Sequence, residues 1–147
     1  MDVIVADTPG LLEEHHRIRR EVFIGEQDVT EAEEWDGRDE EPGTLRVVGL
    51  VHGRVVAAGR LLDLDTAVVH VGRVAVEAGH RGSGLGRELM LGLERVAVEH
   101  TSGPLRLVLD AQEYAAGFYG SLGYARTPRD RFLDARIWHV EMAKTVR

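Results

Sequence analysis

The chain has no cysteine in its 147 residues. A disulfide framework, a thiolate nucleophile and a thiolate zinc site are therefore all excluded, and a reducing cytoplasm is the location that fits. Surplus positive charge is lacking too. Lys and Arg number 18 against 25 Asp and Glu, for a formal net charge of −7, which argues against general nucleic-acid binding, because that relies on a basic surface to displace counterions. An acidic body suits a cationic or amine acceptor instead. No segment approaches the ~20 apolar residues of a membrane helix, and the N-terminus carries Asp2 and Asp7 in place of a basic region, so no membrane association is expected. Repeats and low-complexity segments are absent. The seven histidines do not fall at metal-ligand spacing: Glu14-His15-His16 lacks the i, i+4 histidine pair of a zincin helix, and no metal is expected. A chain of this length suits one domain, residues 1–147, able to bury a sizeable core without staples.

The stretch that organises the rest is Val71–Leu93. It begins with β-branched residues at Val71, Val74 and Val76, the composition of a buried strand, and ends with helical periodicity. Between the two lies Arg81-Gly82-Ser83-Gly84-Leu85-Gly86. Glycines permit positive φ and close approach of a ligand to the main chain, and the first N–H groups of the following helix lack intrahelical acceptors and carry partial positive charge. An anion is the natural guest. The spacing does not match a phosphate loop of the Walker type, because Arg87 and Glu88 stand where Lys and Ser or Thr are needed. Nor does it match G-x-G-x-x-G, whose third glycine would fall at Arg87. Ser83 reads as a phosphate ligand within this loop, and no Ser–His–Asp triad is supported.

Met1–Ala6 reads as a first strand. Thr8 caps and Pro9 opens a helix running to about Val22, with Leu11, Leu12, Ile18 and Val22 near one face and His15 between them, a core-packing pattern. Phe23 and Ile24 are apolar anchors just before Glu26. They place its carboxylate at the edge of a pocket, where burial would raise its pKa toward that of a general base; a salt-bridged loop residue is the alternative. The acidic residues Glu31, Glu33, Glu34, Asp39, Glu40 and Glu41 read as a solvated loop. Leu45–Val51 and Val55–Leu64 form a hairpin around His52-Gly53, Ala67–Val76 is the next strand, and the helix after the glycine loop runs to about His100, ended by Gly103-Pro104. Leu105–Asp110 is a short buried-type strand and Glu113–Leu122 is helical. Strand, helix, strand implies parallel pairing of Ala67–Val76 with Leu105–Asp110. Arg60 and Arg73 each read either as orienting a carboxylate in a site or as a structural ion pair. Tyr114, Phe118 and Tyr124 read as packing residues.

The strand followed by R-G-x-G-x-G resembles the central motif of the GNAT superfamily of acyl-CoA-dependent N-acyltransferases. Ala116-Gly117-Phe118-Tyr119-Gly120-Ser121-Leu122-Gly123-Tyr124 resembles the family's A-x-x-F-Y-x-x-x-G-F/Y signature. Arg19, Val22, Phe23, Glu26 and Gln27 match the R-x-x-V-F-x-x-E-Q opening of its ElaA-like branch, and Asp134 and His139 fit the ElaA-like ending, where Arg136 and Trp138 replace the usual Gly and Pro. The resemblance implies an α/β (α+β) single-domain GNAT-type fold, with a mixed central sheet splayed between the fourth and fifth strands and flanked by helices. It implies acetyl-CoA as cosubstrate, its pantetheine arm along Val74, Ala75 and Val76 and its pyrophosphate held by Arg81, Gly82, Ser83, Gly84, Leu85, Gly86 and Arg87. Tyr119 would then be the general acid beside the thioester, the Val76 N–H the oxyanion donor and Glu26 the base that deprotonates the amine, directly or through water, with His139 either a base or substrate contact or a hydrogen-bonded structural histidine. The acceptor would be a small-molecule or peptide amine, and a homodimer stays open. Without a cysteine to carry an acyl group, direct attack is expected. Two other readings remain: a non-catalytic acyl-CoA-binding regulatory module, and a structural interaction domain.

Overall fold

A computed structural model describes all 147 residues. One mixed sheet runs through the molecule, from β1 (Asp2–Val5), β2 (Leu45–Val51), β3 (Arg54–Leu62) and β4 (Val68–Val76) to β5 (Leu105–Gln112), then β8 (Ile137–Val146) and the short edge strand β6 (Ala125–Arg126), with β7 (Phe132–Asp134) also paired to β8. Every pairing is antiparallel except that of β4 with β5. The β4–β5 ladder runs only from Val68↔Arg106 to Val71↔Leu109. Beyond it both strands continue without each other, to Val76 and to Gln112, so the expected splay is present.

Successive residues of a strand face opposite sides, and the sheet uses both. On β2, Val47 joins the larger cluster, with Leu89 and Leu93 of helix α3 (Leu85–Glu99), whereas Val48 joins a smaller one with Ile18 of helix α1 (Pro9–Arg19). The two helices thus cover opposite faces. Thr8 caps α1 as its position predicts, its Oγ accepting from the Leu11 N–H at 3.2 Å. The hairpin around His52-Gly53 has both turn residues at positive φ, the mirror-image turn that suits the twist of the flanking strands.

Three sequence expectations change. The helix expected to reach Val22 ends as α-helix at Arg19 and continues as a π-helical segment, Arg20–Glu26, closed by the i→i+5 bond from the Gln27 N–H to the Val22 carbonyl. The extra residue per turn keeps Val22 in the core while carrying Glu26 and Gln27 over the end of the sheet. The acidic stretch is not a solvated loop throughout. Thr30 and Glu33 form a reciprocal cap that opens the one-turn helix α2 (Glu31–Glu34), and both Glu34 and Asp39 are buried. The segment Glu113–Leu122 divides into a tight 3₁₀ turn and the short helix α4 (Ala116–Ser121), which leaves Tyr114 exposed and Phe118 on the surface, not in the core. Tyr124 does pack, with its hydroxyl donating to Glu94 at 2.9 Å.

Candidate active site

The splay opens into a cleft of about 350 Å³, lined by Val71–Val74 of β4, Val108–Asp110 and Gln112 of β5, and the side chains of Tyr119 and His139. A cleft of this size is at the small end of ligand pockets. Its β4 wall is irregular. Arg73 sits at φ 51° and the register against β3 shifts between Ala58 and Arg60, so β4 bulges as it parts from β5. A bulge re-aims the residues after it. The Glu77 N–H donates to the Val56 carbonyl at 2.9 Å, so Val56 and Glu77 form a hydrogen-bonded antiparallel pair. Alternation then turns the N–H and carbonyl of Val76 away from β3, on the side where β5 has left. The carbonyl is occupied by Nε–H of Arg81 at 2.8 Å. The N–H is free.

Beyond the end of β4 the glycine loop enters α3. Gly82 and Gly84 take φ 85° and 83°, and a Cβ at either would meet nothing within 4 Å. They are glycines for backbone conformation, not for space. From Gly82 through Arg87 no main-chain N–H finds an acceptor within the protein; the next, Glu88, bonds back to the Gly84 carbonyl at 3.2 Å. A run of unpaired amides at a helix N-terminus is an anion cradle. Arg87 is exposed beside it without an ionic partner, and Ser83 Oγ donates to the His80 carbonyl at 3.2 Å. Arg81 is engaged differently. Its amide contacts the Ala78 carbonyl at 3.4 Å, and its guanidinium pairs end-on with both carboxylate oxygens of Glu26, at 2.7 and 3.1 Å. Glu26 therefore stands at the glycine loop and not among the residues lining the cleft. It is partly exposed, not sunk among apolar anchors.

Tyr119 and His139 both line the cleft. Burial pushes the Tyr119 phenol up to about 12, with a smaller contribution from Tyr114, and its hydroxyl bonds to no protein group. Its ring stacks edge-on against Phe118 and Tyr124. His139 lies opposite Gln112 in the β5–β8 ladder, is 8 % exposed, and stacks on Phe132. Its Nδ1 is 2.7 Å from the Ile137 carbonyl. A carbonyl only accepts, so the neutral ring carries its proton on Nδ1 and presents a lone pair at Nε2. Asp134 lines the same cleft. The turn that sets it, Ala135-Arg136, has both residues at positive φ without a glycine; Arg136 offsets that strain by bonding Glu33 and the Asp28 carbonyl.

An ionic network built on the buried Arg19, Glu34, Asp39 and Arg60 borders the cleft. Arg19 donates to Glu34 at 2.7 Å and Asp39 at 2.8 Å, Arg60 to Asp36 at 2.6 Å and Asp39 at 3.2 Å, and Arg73 approaches Glu34 at 3.1 Å. Arg60 and Arg73 thus make structural ion pairs that also wall the cleft. Arg19 further donates to His15 Nε2 at 3.3 Å, while His15 Nδ1 reaches the Val47 carbonyl at 3.1 Å. Sequence reasoning gave no sign of this network, or of the bond from Gln112 Nε2 to Gln27 Oε1 at 2.9 Å. All join residues far apart in the chain. No group of acidic, histidine or cysteine side chains is arranged to hold a metal ion, and no helix is long and apolar enough to cross a membrane.

The family model described as Acetyltransferase (GNAT) domain matches residues 12–146. The uncharacterized N-acetyltransferase YjcF of Bacillus subtilis is 33% identical over 144 residues, covering 98% of this chain and 99% of that protein. Among solved structures, an acyl-CoA N-acyltransferase from Pseudomonas aeruginosa superposes with a TM-score of 0.83 at 29% identity, covering 97% of this chain and 98% of the other. Escherichia coli ElaA gives 0.82 at 25%, covering 97% of both. With the splayed β4–β5 pair and the open amide cradle at the start of α3, these likenesses identify the chain as a member of the GNAT acetyltransferase family, an ElaA-like N-acyltransferase.

Proposed function

We propose that the protein transfers the acetyl group of acetyl-CoA to a primary amine by direct attack, in the cytoplasm. The observation that carries the reading is the run of unpaired amides from Gly82 through Arg87, in the turn that follows β4, the strand that walls a cleft lined also by Tyr119 and His139. The diphosphate of the cofactor takes these amides and the charge of Arg87. Its pantetheine arm extends along Val74–Val76, as an added strand would, which sets the thioester beside the free Val76 N–H.

His139 Nε2 receives a proton from the amine, whose nitrogen lone pair attacks the thioester carbonyl carbon. The developing oxyanion accepts from the Val76 N–H, a donor fixed before reaction begins. The C–S bond then breaks, and the departing thiolate takes the proton of the Tyr119 hydroxyl. An amide and free CoA leave; the proton on His139 returns through solvent to Tyr119. The cleft volume of about 350 Å³ favours an acetyl donor and a small or terminal amine over bulky partners.

The test is a panel of amines (diamines, amino acids, aminoglycosides and peptide N-termini) incubated with acetyl-CoA while released thiol is measured. Thiol release dependent on one class of amine is the expected result. Tight binding of CoA with no turnover on any amine would favour a regulatory acyl-CoA-binding module, and no binding of CoA at all a structural domain.

A further inference from the structure

The π-helical segment ends in Glu26-Gln27, and each of these side chains ties down one of the two strands that part. Glu26 grips Arg81 with both carboxylate oxygens, at 2.7 and 3.1 Å, and the same guanidinium donates through Nε to the Val76 carbonyl at 2.8 Å. That line reaches the end of β4. Gln27 Oε1 accepts from Gln112 Nε2 at 2.9 Å, and that line reaches the end of β5. No ladder bond joins β4 to β5 beyond Val71↔Leu109, so the strap crosses the gap where the sheet itself does not. A bidentate carboxylate–guanidinium pair fixes orientation as well as distance. Its Glu26 and Arg81 side chains are 39% and 44% exposed, and exposed pairs contribute little to stability. Geometry, not stability, is what this pair supplies.

We infer that Glu26 and Gln27 are positioning residues that set the width of the β4–β5 gap and hold the Val76 amide and the glycine loop in register for the CoA thioester. Glu26 then acts through Arg81 and does not take the proton of the amine. Arg81 in turn is a tether for Val76 and not a ligand of the diphosphate, which is left to the amides and Arg87. This inference rests on the acyl-CoA reading above.

The two roles for Glu26 part in a binding experiment. A general base touches the amine, so its loss leaves CoA affinity unchanged; a strap sets the CoA groove itself. CoA binding is measured by calorimetry for the unaltered protein, Glu26→Gln, Arg81→Ala, their double variant and Gln27→Ala, each first checked for folding by its melting temperature. Glu26→Gln, Arg81→Ala and Gln27→Ala are expected to weaken CoA binding, on the order of tenfold for Arg81→Ala and less for Glu26→Gln, whose amide oxygen still accepts one bond. The double variant should be no weaker than Arg81→Ala alone, because the two residues form one line. Unchanged CoA affinity in Glu26→Gln together with lost turnover would overturn the inference and return the base to Glu26. Losses that add in the double variant would also overturn it, since they would mean that Arg81 meets the diphosphate independently. Failure of the unaltered protein to bind CoA is a separate outcome: it removes the acyl-CoA reading, and the strap with it.

Discussion

Tyr119 holds its proton through the whole working range of pH, because burial disfavours the phenolate and moves its pKa up to about 12. A free thiolate is a weaker base than that phenolate, so in the proposed mechanism the proton moves as the C–S bond breaks and Tyr119 is then reprotonated from solvent. Tyr119→Phe keeps the ring against Phe118 and Tyr124 and removes only the hydroxyl. We predict that it lowers kcat by about 10²–10⁴-fold while leaving the calorimetric affinity for CoA within about twofold, as expected when only a transition-state interaction is lost. At His139 the free Nε2 makes a different prediction. His139→Ala opens a hole against Phe132 that imidazole can enter, so kcat/KM should fall by a similar factor and recover in part with added imidazole. Loss without any recovery, over a range of imidazole concentrations, would count against a proton-transfer role. Tyr119 and His139 could both be proposed from local motif and chain order. The engagement of Glu26 by Arg81 could not, because 55 residues separate them and neither carries a local pattern that names the other.

Along the elements, strand positions were legible wherever one face is core and the other solvent or helix. β1, β2 and β4 fall where strand-like apolar and β-branched runs put them, and the parallel β4–β5 pair followed from the strand–helix–strand order, whereas the splay was implied by the family resemblance alone. Helix ends were less legible. Nothing in Arg20–Glu26 distinguishes a π turn from an α turn, since the choice is made by Val22 entering the core while Glu26 and Gln27 reach bonds to α3's loop and to β5. The acidic stretch was misleading for the same reason: a carboxylate is taken as solvated unless its cation is known, and the partners of Glu34 and Asp39 are Arg19, Arg60 and Arg73. That network should be brittle. Arg19 is fully buried, and Arg19→Leu leaves two buried carboxylates without their shared cation, the arrangement that costs roughly 3–5 kcal/mol. Urea unfolding of Arg19→Leu against the unaltered protein measures it. A loss under about 1 kcal/mol would show that Arg60 and Arg73 compensate. Because Arg73 is part of both the network and the cleft wall, the same variant should also raise KM for the amine more than KM for acetyl-CoA.

For the molecule as a whole, the buried charges set an acid limit to stability. His15 is fully buried. Burial first, then the nearby Arg19 guanidinium, lowers its pKa from 6.5 to about 3, and its two bonds already assign the neutral ring, with Nδ1 donating to Val47 and Nε2 accepting from Arg19. Between those two pKa values the unfolded chain binds a proton on His15 that the folded chain refuses. Stability therefore falls as pH drops from 6.5 toward 3, by up to roughly 1.4 kcal/mol per pH unit from this group. A second loss begins lower. Burial opposes ionisation of Asp36, yet Arg60 overrides it and holds the carboxyl well below the usual range, and Asp39 is likewise lowered by Arg19 and Arg60 against the cost of its own burial. Both carboxylates keep their contribution above about pH 4 and lose it as pH falls further. The expected record is a urea midpoint nearly flat above pH 7, a first decline below 6.5, and a steeper one below 4. His15→Gln offers a donor and an acceptor to the same neighbours without titrating. It should flatten the decline between pH 6.5 and 4 and leave the steeper loss in place. If the variant declines as the unaltered protein does across that window, His15 is not the group responsible, and the loss there passes to its neighbour His16, whose pKa burial and then Arg19 also lower.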